Sequence, residues 1–268
     1  MKNVIDYYSS FDEWGRLDRE PLEFIINFHY IRKYLPSFGT VLDNGAGPGK
    51  YSIELARLGY NVTLSDMTPK LVEVAKQKAS ELGLTGQFNG FHVLNATHLD
   101  GVPNEIYDGS LMLGPLYHLQ KEEERVSATR ELFRVTKRNG IVFVAFQSRM
   151  RMAITSLQFP QFWKPNDNLD SINEFYENGI FNHNDKGRFT GAYYFNIDEI
   201  KPFMEKIGFE TIDLIGSSSV GAMMSNEQKQ YWAEQGEDEK LMNFLISTAN
   251  DPSALGVSSH LLYIGRRK

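Results

Sequence analysis

An aspartate at position 43, glycines at 45, 47 and 49 and a second aspartate at 66 lie in the run VLDNGAGPGKYSIELARLGYNVTLSD. Glycines in a turn let a ligand approach the backbone and adopt dihedrals that side chains resist, and a helix starting just beyond offers N–H groups at its positive end. Such a turn favours a polar or anionic ligand group. Asp66 stands 19 residues beyond Gly47, at the end of the next strand-like run, where a carboxylate accepts hydrogen bonds from both ribose hydroxyls of a nucleoside. Strand-end carboxylates also cap helices, but with the glycine turn between them Asp43 and Asp66 point to an adenosine-containing cofactor. A dinucleotide fingerprint would read G-x-G-x-x-G. With Gly45 and Gly47 as its first two glycines the sixth position is Lys50, which counts against a nicotinamide-dependent oxidoreductase.

Tyr117 and His118 follow a later apolar run, at the carboxyl edge where open α/β sheets bind ligands. Either could serve as a general base or simply shape the pocket, and a base matters only if the nucleophile arrives protonated. Near the amino terminus, Tyr7, Tyr8, Trp14 and Arg16 could close over a cofactor, the rings attracting a cation and Arg16 pairing with a carboxylate. Packing against the sheet edge is the alternative for all four. Phe159, Phe162, Trp163, Tyr193 and Tyr194 could line an acceptor pocket or close a small core of their own. Arg149, Arg151 and Lys164 could meet an anionic acceptor or remain solvated. His183 and Asp185 lack companions at recognisable ligand spacing, and no metal is expected.

The elements that must position these residues follow from the alternation of short β-branched runs with helical patterns between Thr40 and Phe146, the signature of parallel strands joined by crossover helices. Strands are expected at Thr40 to Asp43, Asn61 to Ser65, Phe91 to Leu94, Ser110 to Leu113 and Ile141 to Phe146, the last a uniformly apolar run suited to burial on both faces. Leu71, Ala75, Ala79 and Leu82 recur at helical spacing, with Thr68 placed to cap, Pro69 in the first turn and Gly83 to terminate. Phe24, Phe28, Ile31 and Leu35 mark a helix behind Pro21, and Leu132, Phe133 and Val135 a charged helix ending at Gly140. Beyond Gln147 the alternation breaks, and the clusters PND and HNDKG read as turns of an inserted lid. A helix through Ile200, Phe203, Met204 and Ile207 closes at Gly208, the strand-like FETIDLIG follows, and a second insertion leads to a last strand, HLLYIGRRK. With no internal repeat and no long linker, 1–268 is expected to form one domain: cap helices in 1–35, a cofactor-binding core in 36–148, a lid in 149–192 and the rest of the core in 193–268.

Composition narrows the partners. The absence of cysteine excludes a disulfide framework, a thiolate zinc site and a cysteine nucleophile. A net charge of -6 disfavours a broad nucleic-acid footprint, because Lys and Arg supply most non-specific affinity for phosphate. No run approaches the roughly 18 apolar residues of a membrane span, and the first residues carry no secretory apolar stretch, so a cytoplasmic location is expected.

The segment VLDNGAGPG resembles motif I of the class I S-adenosylmethionine-dependent methyltransferases, with the acidic residue just before G-x-G-x-G. Asp66 matches that family's acidic residue after strand two, LNAT falls at its adenine contact, and YDGSLMLGPLYHL is similar to its fourth strand and following loop. The resemblance covers roughly Tyr34 to Phe146 and resumes near Ile197. Where the family commonly has Asp at the end of strand three this chain has Asn95, whose amide oxygen can still accept a bond from the adenine amino group. The resemblance implies an α/β fold: a doubly wound, mostly parallel, seven-stranded Rossmann-like sheet whose last strand, HLLYIGRRK, runs antiparallel as partner to FETIDLIG, with a lid insertion. It also implies that Asp43 orients the methionine amino group, Gly45 and Gly47 line the methionine portion, Asp66 holds the ribose, Met67, Asn95 and Ala96 frame adenine, and Leu113 sits beneath the amino acid portion.

The expected function is transfer of the methyl of S-adenosylmethionine to a small-molecule nucleophile, leaving S-adenosylhomocysteine, with the protein aligning donor and acceptor and excluding water. An RNA or protein methyltransferase and a non-catalytic binder of the same cofactor are the alternatives. The acceptor and the oligomeric state lie outside what these motifs specify.

Overall fold

In the computed structural model, which describes residues 5, 7–9, 14–15, 21–184 and 191–268, the expected strands assemble in chain order as β1 (Thr40–Asn44), β2 (Asn61–Asp66), β3 (Phe88–Val93), β4 (Tyr107–Met112) and β5 (Thr136–Gln147). A two-stranded ribbon, β6 (Ile180–Phe181) with β7 (Ala192–Tyr193), lies apart, and β8 (Phe209–Gly216) and β9 (His260–Arg267) complete the main sheet. The sheet has seven strands in the order β3-β2-β1-β4-β5-β9-β8. Neighbours from β3 through β5 are parallel, while β9 runs antiparallel to both β5 and β8. This is the Rossmann-like methyltransferase topology. Because β1 lies between β2 and β4, the winding reverses there, and the crevice beyond the carboxyl ends of these strands is where such sheets bind ligands.

Helices cover both faces. In chain order they are α1 (Pro21–Tyr34), α2 (Lys50–Arg57), α3 (Pro69–Glu81), the single turn α4 (Pro115–His118) and α5 (Glu122–Val135). Then come α6 (Arg149–Gln158), α7 (Leu169–Asn178), α8 (Ile197–Ile207), α9 (Asn226–Glu234), α10 (Asp238–Ser247) and α11 (Pro252–Val257). The period of two in β5 divides its burial: Phe143 faces Ile31, Leu55 and Leu245, whereas Val142, Val144 and Phe146 face Leu132, Ile200 and Met204. Phe143 is fully buried, so Phe143→Ala should cost about 3–5 kcal/mol through lost transfer energy and a cavity. A urea titration reads this as a lower midpoint at unchanged slope; a loss below about 1 kcal/mol would mean that the core collapses into the gap.

Three local expectations need correction. The third strand begins three residues earlier than Phe91 and excludes Leu94; it is an edge strand with no buried residue, so no apolar run marks it. The charged helix stops at Val135, and Thr136 already pairs with Tyr107 of β4. Gly140 instead occupies an irregularity within β5: Asn139 adopts φ 64°, and a Cβ on Gly140 would lie 2.9 Å from the Lys137 carbonyl oxygen. The inserted segment after Gln147, where the sequence predicts only the PND and HNDKG turns, contains the ten-residue helices α6 and α7. Asn168, just after PND, is the N-cap of α7 and accepts from the Ser171 amide, so the turn signal there starts a helix.

These helices and the ribbon close their own core of Met152, Phe175, Phe181 and Tyr194 with Trp163 against it. Arg149 ties that unit to the rest: buried at 3% exposure, it donates to the carbonyls of Tyr176, Glu177 and Tyr194 and reaches Glu199 on α8. Among the described residues, no helix is long and apolar enough to cross a membrane.

Candidate cofactor and acceptor site

The end of β1 and the glycine turn are stitched to β2. The amides of Gly45 and Ala46 both donate to the Ser65 carbonyl, at 2.7 and 3.0 Å, and Gly45, Gly47 and Gly49 adopt φ of 73°, 56° and 83°. Positive φ explains the residue type at all three. Gly45 carries a second constraint, since a Cβ there would lie 2.1 Å from Cγ of Pro115 at the start of α4. Gly49 is the N-cap of α2 and has no side chain with which to cap it.

Asp66 holds this turn. Its Oδ2 accepts from the Gly47 amide at 2.9 Å and its Oδ1 from the Thr68 amide at 2.8 Å, and the Thr68 side chain bonds the same carboxylate, which with about four acceptor sites keeps capacity for a ligand. Asp43, one strand away, accepts from the Ser52 hydroxyl at 2.7 Å. Burial pushes Asp43 up to about 6, with Ser52 opposing and the charge of Asp66 adding to the rise. Asp66 is also raised by burial, against the amide bonds from Thr68 and Gly47 and the bond from the Thr68 side chain. Two buried carboxylates that disfavour each other's charge form a wall suited to a cationic group.

That wall belongs to a cavity of about 670 Å³, within the range of small-molecule sites. Asp43, Gly45, Gly47, Asp66, Met67, Asn95, Ala96, Leu113, Tyr117 and His118 all line it, with Pro115 at the start of α4 directly against Gly45. The Asn95 side chain accepts from the Thr97 amide at 3.1 Å. Tyr117 donates to the Leu113 carbonyl at 3.3 Å. His118 Nε2 is 2.9 Å from the Tyr8 hydroxyl, in a hydrogen bond. Burial, and secondarily the charge of His260, push His118 down to about 3, so its ring is neutral at physiological pH. Arg16 and Asp185 lie outside the described residues. Of the lid aromatics, none lines the cavity: Trp163 and Tyr194 join the lid core, Phe159 and Phe162 are exposed, and Tyr193 lies under the Arg125 guanidinium at 3.6 Å.

Sequence reasoning missed several lining residues. Glu23 comes from the first turn of α1, Gln120 from the segment after α4, Glu124 from the first turn of α5, and Asn182 and Gly191 from the lid. A 2.8 Å bond from Gln120 Nε2 to Asn182 Oδ1 joins lid to core across this rim. His183, weighed above only as a metal ligand, also lines the cavity. Polar residues on loops and first turns carry no periodic signal, and only the crossing of chain segments gathers them. Among the described residues, no group of three or more His, Cys, Asp or Glu side chains is placed to hold a metal ion.

A family model described as a methyltransferase domain matches residues 42–144, the stretch that builds this wall. The chain carries a methyltransferase domain. It is 25% identical over 190 residues to the glycine/sarcosine/dimethylglycine N-methyltransferase of Actinopolyspora halophila, covering 66% of this chain and 32% of that protein. Across three curated relatives, that one included, the chain spans 24% to 49% of their own lengths. Among solved structures, an S-adenosylmethionine-dependent methyltransferase from Methanosarcina mazei superposes with a TM-score of 0.59 at 18% identity, covering 89% of this chain and 96% of that one. The 1,6-didemethyltoxoflavin-N1-methyltransferase of Burkholderia thailandensis, solved with 1,6-didemethyltoxoflavin and S-adenosylhomocysteine, gives 0.56 at 14% identity, covering 99% and 85%.

Residues 42–144 match a methyltransferase domain, and the chain shares its fold with a solved S-adenosylmethionine-dependent methyltransferase. The residues of the cavity fit that cofactor. The positive-φ glycine turn brings backbone to the cavity wall, and the Asp43 and Asp66 carboxylates face a volume of small-molecule size. The buried carboxylates complement the positive charge of a sulfonium and an ammonium group.

Proposed function

We propose that the chain transfers the methyl group of S-adenosylmethionine to a small-molecule acceptor. The observation that carries this reading is one cavity of about 670 Å³ lined together by the glycine turn, Asp43, Asp66, Tyr117, His118 and the lid residues Asn182 and Gly191. When bound, the cofactor supplies a sulfonium-activated methyl that an acceptor lone pair displaces, the S–C electron pair remaining on sulfur in S-adenosylhomocysteine.

The residues of the chain bind, orient and exclude water. Asp43 takes the ammonium of the methionine portion, Asp66 the ribose hydroxyls through its remaining acceptor capacity, and Met67, Asn95 and Ala96 the adenine, with Leu113 beneath the amino acid portion. His118 is too weak a base to take a proton near neutrality; as a neutral ring it holds the Tyr8 hydroxyl at the acceptor side. Residues 149–192 act as a lid within a single 1–268 unit, supported by the lid residues Asn182 and Gly191 lining the same cavity as the glycine turn. A small acceptor is favoured over RNA by charge: among the described lining residues, Lys50 and Lys121 face four carboxylates, Glu23, Asp43, Asp66 and Glu124.

Calorimetric titration with S-adenosylmethionine, S-adenosylhomocysteine and NAD tests the reading: micromolar binding of the first two alone supports it, and no binding of either overturns it. Asp66→Ala should weaken S-adenosylmethionine binding by about 1–3 kcal/mol, the scale of hydrogen bonds to a charged group. Unchanged affinity in a folded variant would reject the ribose assignment.

A further inference from the structure

The chain between α4 and α5 lines the cavity through Leu119, Gln120 and Lys121. Leu119, the C-cap of α4, is extended at ψ 95°, so the carbonyls at the end of this single turn find no partner further along a helix. Arg125 of α5 supplies one. Its Nη1 donates to the Leu119 carbonyl at 2.9 Å and to the Gln120 carbonyl at 2.7 Å, although the arginine itself is buried and does not line the cavity.

The same guanidinium meets the lid. Its Cζ stands 3.6 Å from the centroid of the Tyr193 ring in β7 and 5.6 Å from that of Phe195. The Tyr193 hydroxyl accepts from Arg149 at 3.1 Å, so the ring is held on its face from α5 and at its hydroxyl from the start of α6. Gln120, whose carbonyl Arg125 holds, reaches Asn182 of the lid through its side chain at 2.8 Å, and Asn182 lines the cavity. A planar guanidinium can donate through its edge while a ring covers its face, whereas an ammonium is a compact point charge with no such plane. Burying the charge costs desolvation, and apolar side chains of similar volume often serve stability as well or better. What an apolar side chain would not supply is a fixed relation between two backbone carbonyls and a ring on the lid, which has a core of its own.

Resting on the methyl-transfer reading above, we infer that Arg125 is a positioning residue for the transfer: through Tyr193 on one side and the Leu119 and Gln120 carbonyls on the other, it couples the seating of the lid to the placement of α4. That turn carries Tyr117 and His118, and Leu119 follows His118 directly. A shift of the two carbonyls would therefore move the imidazole and its hydrogen bond to the Tyr8 hydroxyl.

Three variants of the full chain test the coupling. Arg125→Lys keeps the charge but not the plane, Tyr193→Leu removes the ring, and Tyr193→Phe keeps the ring and loses only the hydroxyl. In the ligand-free protein, hydrogen exchange in 116–121 and 193–195 should quicken about tenfold together in the first two variants and stay near wild type in the third, with β1 and α2 unchanged in all. Ring nitrogen NMR, with the His118 signal assigned by its loss in His118→Gln, should show a neutral His118 ring at pH 6 in wild type and Tyr193→Phe, and a changed signal in the other two. S-adenosylhomocysteine should leave both disrupted variants about fivefold faster, because the displaced segments line its cavity. A lowered urea midpoint with local exchange and the His118 signal at wild-type values would overturn the inference and make Arg125 a structural residue of α5. Tyr193→Leu carries the test if Arg125→Lys does not fold: exchange that quickens in 193–195 but not in 116–121 would overturn the coupling, as would Tyr193→Phe disturbed as much as Tyr193→Leu. Unchanged release of S-adenosylhomocysteine would overturn the role at the site. Failure of S-adenosylhomocysteine to bind wild type would instead overturn the methyl-transfer reading, and it is distinguishable because exchange and NMR are read on the ligand-free chain.

Discussion

Asp43→Asn should raise the melting temperature of the ligand-free protein by several degrees while weakening S-adenosylmethionine binding about 10- to 100-fold. The two effects share one cause. Burial pushes the Asp43 carboxyl up to about 6 from its ordinary 3.8. The folded state therefore favours the protonated form, so this group's contribution to stability is fully present below pH 4 and lost as pH rises through about 6. At neutral pH the ionised carboxylate costs the ligand-free fold about 3 kcal/mol. Asparagine removes the charge and can still accept from the Ser52 hydroxyl, and each kcal/mol recovered moves the midpoint by roughly 2–4 °C in a chain of this size. The same substitution deletes a charge-assisted bond to the ligand ammonium, on the order of 1.5–3 kcal/mol. Thermal melts from pH 4 to 8 and calorimetry at pH 7.5 read both signs. A variant that melts lower at pH 7.5, or that binds the cofactor normally, would show that Asp43 is a structural carboxylate. Wild-type affinity should also fall on acidification through pH 6, as protonation of Asp43 competes with the cation.

Gly45→Ala should lose about 2–5 kcal/mol of stability and at least tenfold in S-adenosylmethionine affinity. Gly59→Ala, at a similar positive φ, should lose only about 1–2 kcal/mol and bind normally. A left-handed alanine costs roughly 1–2 kcal/mol at either position. At Gly59 nothing lies within 4 Å of the added carbon, whereas at Gly45 it would fall 2.1 Å from Pro115 Cγ and 2.4 Å from Cδ. Relieving that overlap adds about 1–3 kcal/mol and displaces α4, whose Tyr117 and His118 line the same cavity. Equal stability losses in the two variants would mean that Pro115 yields without strain, and the turn would then not be rigidly coupled to the acceptor side.

Much of this site is local in origin, which is why the sequence discloses it. Asp43, the three glycines and Asp66 occupy one strand-turn-helix-strand unit, so their relative positions follow from the alternation of elements and the dihedrals that only glycine accepts readily. The central strands are legible for a related reason: burial on both faces favours apolar residues, as in Ile141 to Phe146 of β5, while β1, β2 and β4 keep short apolar stretches such as Val41–Leu42 and Leu111–Met112 beside their polar ends. Edge strand β3 escapes the rule because neither face is fully buried, and the lid helices escape it because their polar faces and turn-like flanks dilute the apolar stripe.

The sequence alone determined the α/β class, the glycine turn and its paired carboxylates, because each depends on interactions within a few tens of residues. Tertiary structure decided the rest. It brought Glu23 from the first helix, Gln120 from beyond β4 and Asn182 from the lid to one rim, placed Trp163 and Tyr194 in a lid core instead of the cavity, and buried Arg149 against lid carbonyls. Burial also decided protonation: Asp43 and His118 depart from their ordinary values because packing removes them from water, and desolvation is a property of the assembled fold that no residue type or spacing encodes.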